Sequence, residues 1–351
     1  MAKCPSREYS WCLQIDGYDS IILDGNKFGE IKQVFGHISH LMSLTPDGKN
    51  FDQFLLFNNQ AVLKLEANTF HDITFNKIVI KNCTKLIRID PNAFNGTQNL
   101  ITKVHIDLIS ISGPKNIDDF FEALNGLKKL EELLLFNHNI ITIPPFAFRQ
   151  PLLHRLELDG PLDNIASNAF FHLDGLKILK ISGSVKHIPA HAFDFKTATN
   201  KTLDIYLDIK FNTIESGIFT HILRPTTLNL YLTKLKDFSE SVFKPILKSD
   251  FRHDIVFHGD IKEMYDKCIL IWLFDQKKEF KGKFSFKTNP QLTEEEYRTE
   301  CESNSINDSQ VNSSHSNYSS KPDTNSMPYS KLIDKYLILF VGSLLMLNIF
   351  V

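Results

Sequence analysis

The 351-residue sequence lacks the motifs of common catalytic and nucleic-acid-binding proteins. Its 39 basic and 41 acidic residues nearly cancel, and no basic stripe stands out, so binding to nucleic acid is not expected. It has no phosphate-binding loop, no G-x-S-x-G nucleophile elbow and no H-E-x-x-H zinc helix. We therefore expect no enzymatic activity and no cofactor.

Cysteine is also scarce, with five residues in the whole chain. None of them stands in a C-x-x-C or C-x-x-H spacing, so zinc held by cysteine is not expected. His187 and His191 lie four positions apart, but Pro189 between them would break the helix needed to bring them together. We interpret both as solvated loop histidines, and the sequence predicts no metal site.

The first residues, MAKCPSREYSW, lack the apolar segment of a secretory signal peptide. Acceptor sequences for N-glycosylation nevertheless favour a secretory route. They stand at Asn82, Asn95, Asn200, Asn307, Asn312 and Asn317. Either the chain begins downstream of a missing segment, which is the interpretation we favour, or the secretory assignment is wrong.

The C-terminal part changes composition sharply. Residues 302–330 are rich in Ser and Asn and almost free of aliphatic side chains, which predicts a disordered stalk. Residues 331–351 end in an uncharged apolar run that, as a helix, is shorter than the roughly 30 Å of membrane hydrocarbon. The small residues at DTNS followed by a spacer are typical of a glycosylphosphatidylinositol (GPI) signal with Asn325 as the attachment residue. A short membrane span, or no membrane role, are the alternatives.

Phenylalanine, by contrast, recurs with a regular spacing of 22–27 residues, a period that predicts a leucine-rich repeat solenoid. The alternative is an ordinary domain with scattered core phenylalanines. One repeat cannot cover its own apolar side, so only the stacked array would have a core. The recurring residues are Phe70, Phe94, Phe121, Phe148, Phe170, Phe193, Phe219 and Phe243.

A short strand with two inward side chains precedes most of these phenylalanines. The expected inward pairs are Leu55/Phe57, Ile78/Ile80, Val104/Ile106, Leu133/Leu135, Leu156/Leu158, Leu179/Ile181, Ile205/Leu207 and Leu228/Leu230, after an earlier unit at Ile21/Leu23. The predicted fold is an α/β-type solenoid, a horseshoe with a parallel β-sheet on its concave face.

The side chains between these inward pairs would face outward from the sheet. Most are polar, but Leu134 and Phe136 are apolar, and exposed apolar clusters often mark contact sites. The alternative is a patch shaded by its neighbours or by an insertion at residues 113–119. The candidate partner-binding residues are Glu132, Leu134, Phe136, Arg155, Glu157, Lys180, Tyr206 and Tyr231.

The repeats LLHRLELDGPLDNIASNAF (152–170) and LKILKISGSVKHIPAHAF (176–193) resemble an arthropod branch of extracellular leucine-rich repeat proteins. That branch includes the non-catalytic subunit of a secreted crustacean luciferase, and the resemblance covers about residues 55–301. Where such repeats place an asparagine that bonds between turns, this chain is expected to have Gln60, Cys83, His138 or Ser184.

The segment CILIWLFDQ (268–276) is similar to the C-terminal cap of this family. The resemblance implies disulfides Cys268–Cys301 in that cap and Cys4–Cys12 in an N-terminal cap, with Cys83 as a buried free thiol. The expected domains are an N-terminal cap with a first irregular repeat (1–54), leucine-rich repeats (55–250) and a C-terminal cap (251–301).

These features predict a non-enzymatic recognition or adhesion protein at the extracellular face of the plasma membrane. It would bind an extracellular protein or glycan on the concave face of its sheet. The alternative, suggested by the resemblance, is a secreted accessory subunit that stabilises an extracellular enzyme.

Overall fold

Parallel strands from successive repeats form the framework of the computed structural model. It describes residues 11–44, 48–231, 239–259, 268–288, 293–299 and 301–302. The strands are β1 (Cys12–Ile15), β2 (Tyr18–Asp24), β3 (Asn50–Phe57), β4 (Lys64–Leu65), β5 (Thr74–Cys83), β6 (Arg88–Ile89), β7 (Lys103–Ile109), β8 (Glu132–Phe136), β9 (Thr142–Ile143), β10 (Arg155–Ile165), β11 (Ile178–Ile188), β12 (Leu203–Ile214), β13 (Thr226–Tyr231), β14 (Asp254–Gly259) and β15 (Lys283–Thr288).

Helices are few and short. They include α1 (Ile31–Met42), α2 (Pro114–Asn125), α3 (Glu240–Lys248) and α4 (Ile271–Asp275), followed by a 3₁₀ turn at Lys277–Glu279. Residues 294–299 are also helical. Helix α2 occupies the place where the sequence predicted an insertion around residues 113–119. Within the described ranges, no helix is both long enough and apolar enough to cross a membrane.

One sheet runs through the described residues in the order β1-β2-β3-β5-β7-β8-β10-β11-β12-β13-β14-β15, with β9 beside β10. The strands β4 and β6 form a separate parallel pair. Only β1 and β2 pair antiparallel within these ranges, and the remaining pairs are parallel. A mainly parallel sheet with few helices is the architecture that the repeats predict. The sheet continues through β14 and β15 inside residues 251–301.

The core lies on one side of this sheet, where equivalent positions of neighbouring strands stack. Leu133 pairs with Val104 on one side and with Leu156 on the other, and all three side chains are fully buried. Behind the strands the recurring phenylalanines pack ring against ring. Phe148–Phe170 and Phe170–Phe193 have centroids 5.9 and 5.5 Å apart and nearly parallel planes. The phenylalanine period therefore marks a continuous apolar spine, as predicted.

The predicted inward pair of the first strand of the repeat region is wrong by one residue. Phe54 pairs with Ile78 and is fully buried, whereas Leu55 and Phe57 lie on the opposite face of β3. The strand reads NFDQFLLF, and four consecutive apolar residues carry no alternation that distinguishes one face from the other. Pairing with β5, whose register is unambiguous, decides the face.

The same one-residue shift applies to the turn that follows β3, where the sequence predicted Gln60 at the position of the bonding asparagine. Asn59, not Gln60, occupies the turn position equivalent to Cys83, and its side chain is fully buried. Its amide nitrogen donates to the carbonyl oxygens of Gly25 and Phe28 at 2.9 and 2.8 Å. Its amide oxygen accepts from the backbone N–H groups of Ala61 and Val62. Asn59 thus satisfies backbone groups of two adjacent repeats, while Cys83 is a buried free thiol.

Two histidines, His138 and His253, are buried, and at least one ring nitrogen of each has no hydrogen-bond partner among the described residues. Burial lowers the pKa of His138 to about 4, although Asp159 acts in the opposite direction. Burial also lowers the pKa of His253 to about 4, against the opposing influence of Asp254. Among the described residues, neither ring nitrogen of His138 has a hydrogen-bond partner. Both imidazoles are therefore neutral in the folded chain at neutral pH.

The structure joins Cys268 to Cys301, with Cα atoms 5.6 Å apart. This is the disulfide that the family resemblance implies. Cys12 is buried and disulfide-bonded. Cys4 lies outside the described residues, so the pairing Cys4–Cys12 stays a prediction.

Replacing Asn59 with alanine is expected to lower the free energy of unfolding by about 3 kcal/mol, because two carbonyl and two N–H groups of the backbone, most of them partly buried, lose their partner. Urea unfolding followed by circular dichroism measures the change. Gln60→Ala is the matched control and is expected to cost less than about 1 kcal/mol, because Gln60 is only partly buried. Equal losses for the two variants would contradict the role assigned to Asn59.

Acid is expected to destabilise the fold through His138 and His253. Their folded pKa values lie below the unfolded value of about 6.5, so the unfolded chain binds more protons as pH falls from about 6.5 to about 4. Stability should therefore be complete above that window and decrease by up to about 3 kcal/mol per histidine on crossing it. Urea unfolding at a series of pH values tests this. The double variant His138→Asn/His253→Gln should flatten the dependence, and His187→Gln should not.

Candidate partner-binding face

The side chains that point away from the core form what we call the outer face of the sheet. Because the strands are in register, these side chains fall into rows that cross the sheet. The middle row contains Ile22, Leu55, Val79, His105, Leu134, Glu157, Lys180, Tyr206, Asn229 and Val256. Each member of the row comes from a different strand and repeat.

The eight residues predicted to contact a partner all lie on this outer face, between β8 and β13. Glu132, Leu134 and Phe136 are the three outward residues of β8. Their direct neighbours on β10 are Arg155, Glu157 and Asp159. The remaining three predicted residues are Lys180 on β11, Tyr206 on β12 and Tyr231 on β13. Their role in binding stays a prediction.

Ionisable side chains, basic and acidic in alternation, are linked across four strands of the outer face. His105 Nε2 lies 2.7 Å from Glu132 Oε1, and Arg155 Nε lies 3.8 Å from Glu132 Oε2. Arg155 Nε also donates to Glu157 Oε1 at 2.9 Å, and Lys180 Nζ lies 4.0 Å from Glu157 Oε2. We call these five residues the charge ladder. Glu157 is 7% exposed and therefore depends on its cationic neighbours.

Burial and hydrogen bonding fix the charges at the β7–β8 end of this ladder. Burial lowers the pKa of His105, although its hydrogen bond to Glu132 acts in the opposite direction. For Glu132, burial raises the pKa, but the hydrogen bond from His105 and the charges of Lys103 and Arg155 outweigh it, and the net pKa is lowered. A neutral imidazole therefore donates to an ionised carboxylate at neutral pH, because the carboxylate can only accept.

Leu134 and Phe136 sit beside this ladder on the outer face. Leu134 lies between His105 and Glu157 in the middle row, and both apolar side chains are only partly buried. Phe136 lies between Asp107 and Asp159. Each carboxylate is held by a neighbour, since Asn137 Nδ2 donates to Asp107 at 2.8 Å and Ser182 Oγ donates to Asp159 at 2.7 Å. The apolar pair is therefore surrounded by polar groups whose positions are fixed.

Sequence reasoning missed a second apolar group on the outer face. Ile22, Leu55 and Val79 are consecutive members of the middle row on β2, β3 and β5. The sequence-based prediction did not find this group because it assigned Leu55 of β3 to the core. Leu55 and Val79 are 6% and 5% exposed, so their strand neighbours already cover most of their surface. Leu134 and Phe136 are more accessible than Leu55 and Val79.

Aromatic side chains follow on the β12–β14 side. Tyr231 stacks on His258 with ring centroids 5.1 Å apart. Burial raises the pKa of Tyr206, and Asp204 and Tyr231 add to the effect. His258 Nε2 lies 2.9 Å from Asn229 Oδ1 in the neighbouring strand. The outer face thus combines charge, apolar surface and aromatic rings within a few strands.

A depression of about 220 Å³ opens on the outer face next to the charge ladder. Among the residues that line it are Gln53, Lys77, Lys103, His105 and Glu132. Two lysines and two carboxylates, Asp52 and Glu132, at its wall would favour a polar ligand group.

Three of the predicted glycosylation sites lie in the described ranges. Asn95 and Asn200 have exposed side chains. Asn82 is exposed too, but its Nδ2 donates to Asn58 Oδ1 at 2.9 Å, which modification would disrupt. Asn307, Asn312, Asn317 and the predicted lipid-attachment residue Asn325 lie outside the described residues. Occupancy of all these sites stays a prediction.

The sequence model of the BspA type leucine-rich repeat region matches this chain in six copies, over residues 63–197 and 120–248. The matched segments together span more than half of the chain.

Among curated proteins, the chain is similar to the Oplophorus-luciferin 2-monooxygenase non-catalytic subunit of Oplophorus gracilirostris. The two are 24% identical over 270 residues, which cover 68% of this chain and 70% of that protein. It is also similar to leucine-rich repeat-containing G-protein coupled receptor 5 of Xenopus tropicalis, with 30% identity over 146 residues. The corresponding receptor 5A of Xenopus laevis is 27% identical over the same length. These alignments cover 40% of this chain and 16% of each receptor.

Proposed function

The chain belongs to the leucine-rich repeat proteins of the BspA type, and we propose that it binds an extracellular protein or glycan through the outer face of its sheet, without catalysing a reaction. The observation that carries this proposal is the pair Leu134 and Phe136, partly open to solvent and set among fixed charges. Apolar side chains at the centre of a charged rim are typical of protein-binding surfaces.

The two kinds of side chain contribute different parts of binding. Covering Leu134 and Phe136 would supply apolar burial, on the order of 1–2 kcal/mol for each partly exposed side chain. The charge ladder would select the partner and its orientation, because like charges placed against it are repelled. Its hydrogen bonds hold the charged groups in place before a partner arrives, which lowers the entropy lost on binding.

In this proposal the outer face is the concave side of a horseshoe. Residues 1–54 would close one end as an N-terminal cap, and residues 251–301 would close the other. The disulfide Cys268–Cys301 supports an oxidising compartment. One relative, which is aligned with this chain over 70% of the relative's length, is named a non-catalytic subunit. That name supports a binding role without catalysis.

We also propose that the chain is displayed at the cell surface. Residues 302–330 would act as a glycosylated stalk, and the apolar residues within 331–351 would direct attachment of a lipid at Asn325. The amino-acid composition of these segments supports the assignment. A short C-terminal membrane span is the alternative form of attachment.

A second candidate function is that of a secreted accessory subunit that stabilises an extracellular enzyme. The alignment with the luciferase non-catalytic subunit favours it, because it extends over most of both chains. The same outer face would then contact the enzyme.

The double variant Leu134→Asp/Phe136→Asp is expected to lose partner capture at least about tenfold, because it places two charges where a partner would bury apolar surface. Proximity labelling by the full-length chain, displayed on cells with an N-terminal biotin ligase, measures capture. The control is Leu63→Asp/Ile141→Asp, which changes two similarly apolar side chains, 54% and 48% exposed, that lie off this face. Unaltered capture by the first variant would contradict the site.

Phosphatidylinositol-specific phospholipase is expected to release the full-length chain from the surface of expressing cells, because a lipid attached at Asn325 would be its sole anchor. Immunoblotting of the medium measures the release, and Asn325→Gln should prevent surface display. Retention after treatment would indicate a membrane span. A chain already in the medium and bound to an enzyme would favour the accessory subunit.

A further inference from the structure

Two neighbouring repeats bring His191, Asp194 and His221 together on a side of the molecule away from the outer face. His191 and Asp194 follow β11, and His221 follows β12. The Nδ1 atoms of the two histidines are 3.2 Å apart. Asp194 Oδ2 lies 3.0 Å from His191 Nδ1 and 3.1 Å from His221 Nδ1. The three atoms therefore form a nearly equilateral triangle.

Hydrogen bonds leave at least one of the three contacts in this triangle without a hydrogen. Each imidazole Nδ1 carries at most one hydrogen and the carboxylate carries none, so two hydrogens at most serve three close contacts. The Thr220 hydroxyl also lies 3.3 Å from His221 Nδ1, but it donates to the carbonyl oxygen of Gly217 at 2.8 Å. A cation in contact with all three atoms would satisfy their lone pairs at once.

The burial of Asp194 is a second observation that points to a bound cation. Its side chain is largely withdrawn from water, with 8% of the residue exposed. Its Oδ1 atom is buried and has no hydrogen-bond partner among the described residues. A buried carboxylate oxygen without a partner is costly unless a positive charge lies beside it.

The spacing of the three atoms fits a metal ion. In a tetrahedral site with bonds of about 2.0 Å, ligand atoms are about 3.3 Å apart, close to the 3.0–3.2 Å observed here. Two imidazoles and one carboxylate are ligands that Zn²⁺ accepts, whereas Ca²⁺ and Mg²⁺ prefer oxygen alone. We propose that His191, Asp194 and His221 bind a Zn²⁺ ion that joins two adjacent repeats.

The fourth coordination position would face solvent. The side chains of His191 and His221 are 47% and 54% exposed, so a water molecule, or a ligand from a partner, can reach the ion. The rings lie nearly parallel, with centroids 5.1 Å apart, and their Nδ1 atoms lie 3.2 Å apart. The bound ion would fix the spacing of two turns that otherwise share a few backbone hydrogen bonds.

The purified full-length chain, made without a histidine tag and stripped with chelator, is expected to bind one equivalent of Zn²⁺ in isothermal titration calorimetry. Asp194→Asn and His221→Gln should each weaken Zn²⁺ binding at least about tenfold. Removing a residue that only hydrogen-bonds to a metal ligand already lowers metal affinity by such a factor, and removing a ligand itself should lower it at least as much. Zn²⁺ should also raise the melting temperature of the unaltered chain but not of these variants. Co²⁺ should give the intense visible absorption of a tetrahedral complex.

His187→Gln is the matched control. His187 pairs with Glu215 at 3.3 Å and so forms a nearby histidine–carboxylate pair outside the proposed site. This variant should bind Zn²⁺ as the unaltered chain does, and circular dichroism should show all variants folded. No binding by the unaltered chain, or equal binding by Asp194→Asn, His221→Gln and the control, would overturn the proposal and leave a hydrogen-bonded surface cluster.

Discussion

The hydrogen-bonded register between parallel strands is the constraint on which the rest of the structure depends. Each strand pairs with the next at equivalent positions, so that Ile78, Val104 and Leu133 fall into one buried column. Because side chains alternate between faces, a register that stacks core residues also stacks the residues between them on the outer face. A slip of one residue in a strand would exchange its two faces.

The same register brings together side chains that no single repeat can assemble. The charge ladder joins His105, Glu132 and Arg155 from three repeats, and Glu132 is held from both sides. The cluster of His191, Asp194 and His221 likewise spans two repeats. Each repeat contacts mainly its neighbours, so clusters of this kind form only where adjacent repeats meet.

The accuracy of the sequence-based predictions followed the strength of the local pattern. Strand β8, with its partners β7 and β10, was assigned the correct inward residues because the phenylalanine period fixed its place in the repeat. Strand β3 was misread because consecutive apolar residues give no alternation. Helix α2 was taken for an insertion because it stands where neighbouring repeats have a short turn. Its buried Ile117, Phe120 and Leu124 show the helical spacing that could have revealed it.

The sequence by itself determined the repeat, the parallel sheet, the phenylalanine spine and which side chains of most strands face outward, because each of these follows from a spacing within one repeat. Only the tertiary structure decided which residues meet between repeats. His191 was first considered with His187, four positions away, yet it lies against His221, 30 positions away. Distances between such residues depend on how successive turns stack, and stacking is a property of the whole array rather than of any local spacing.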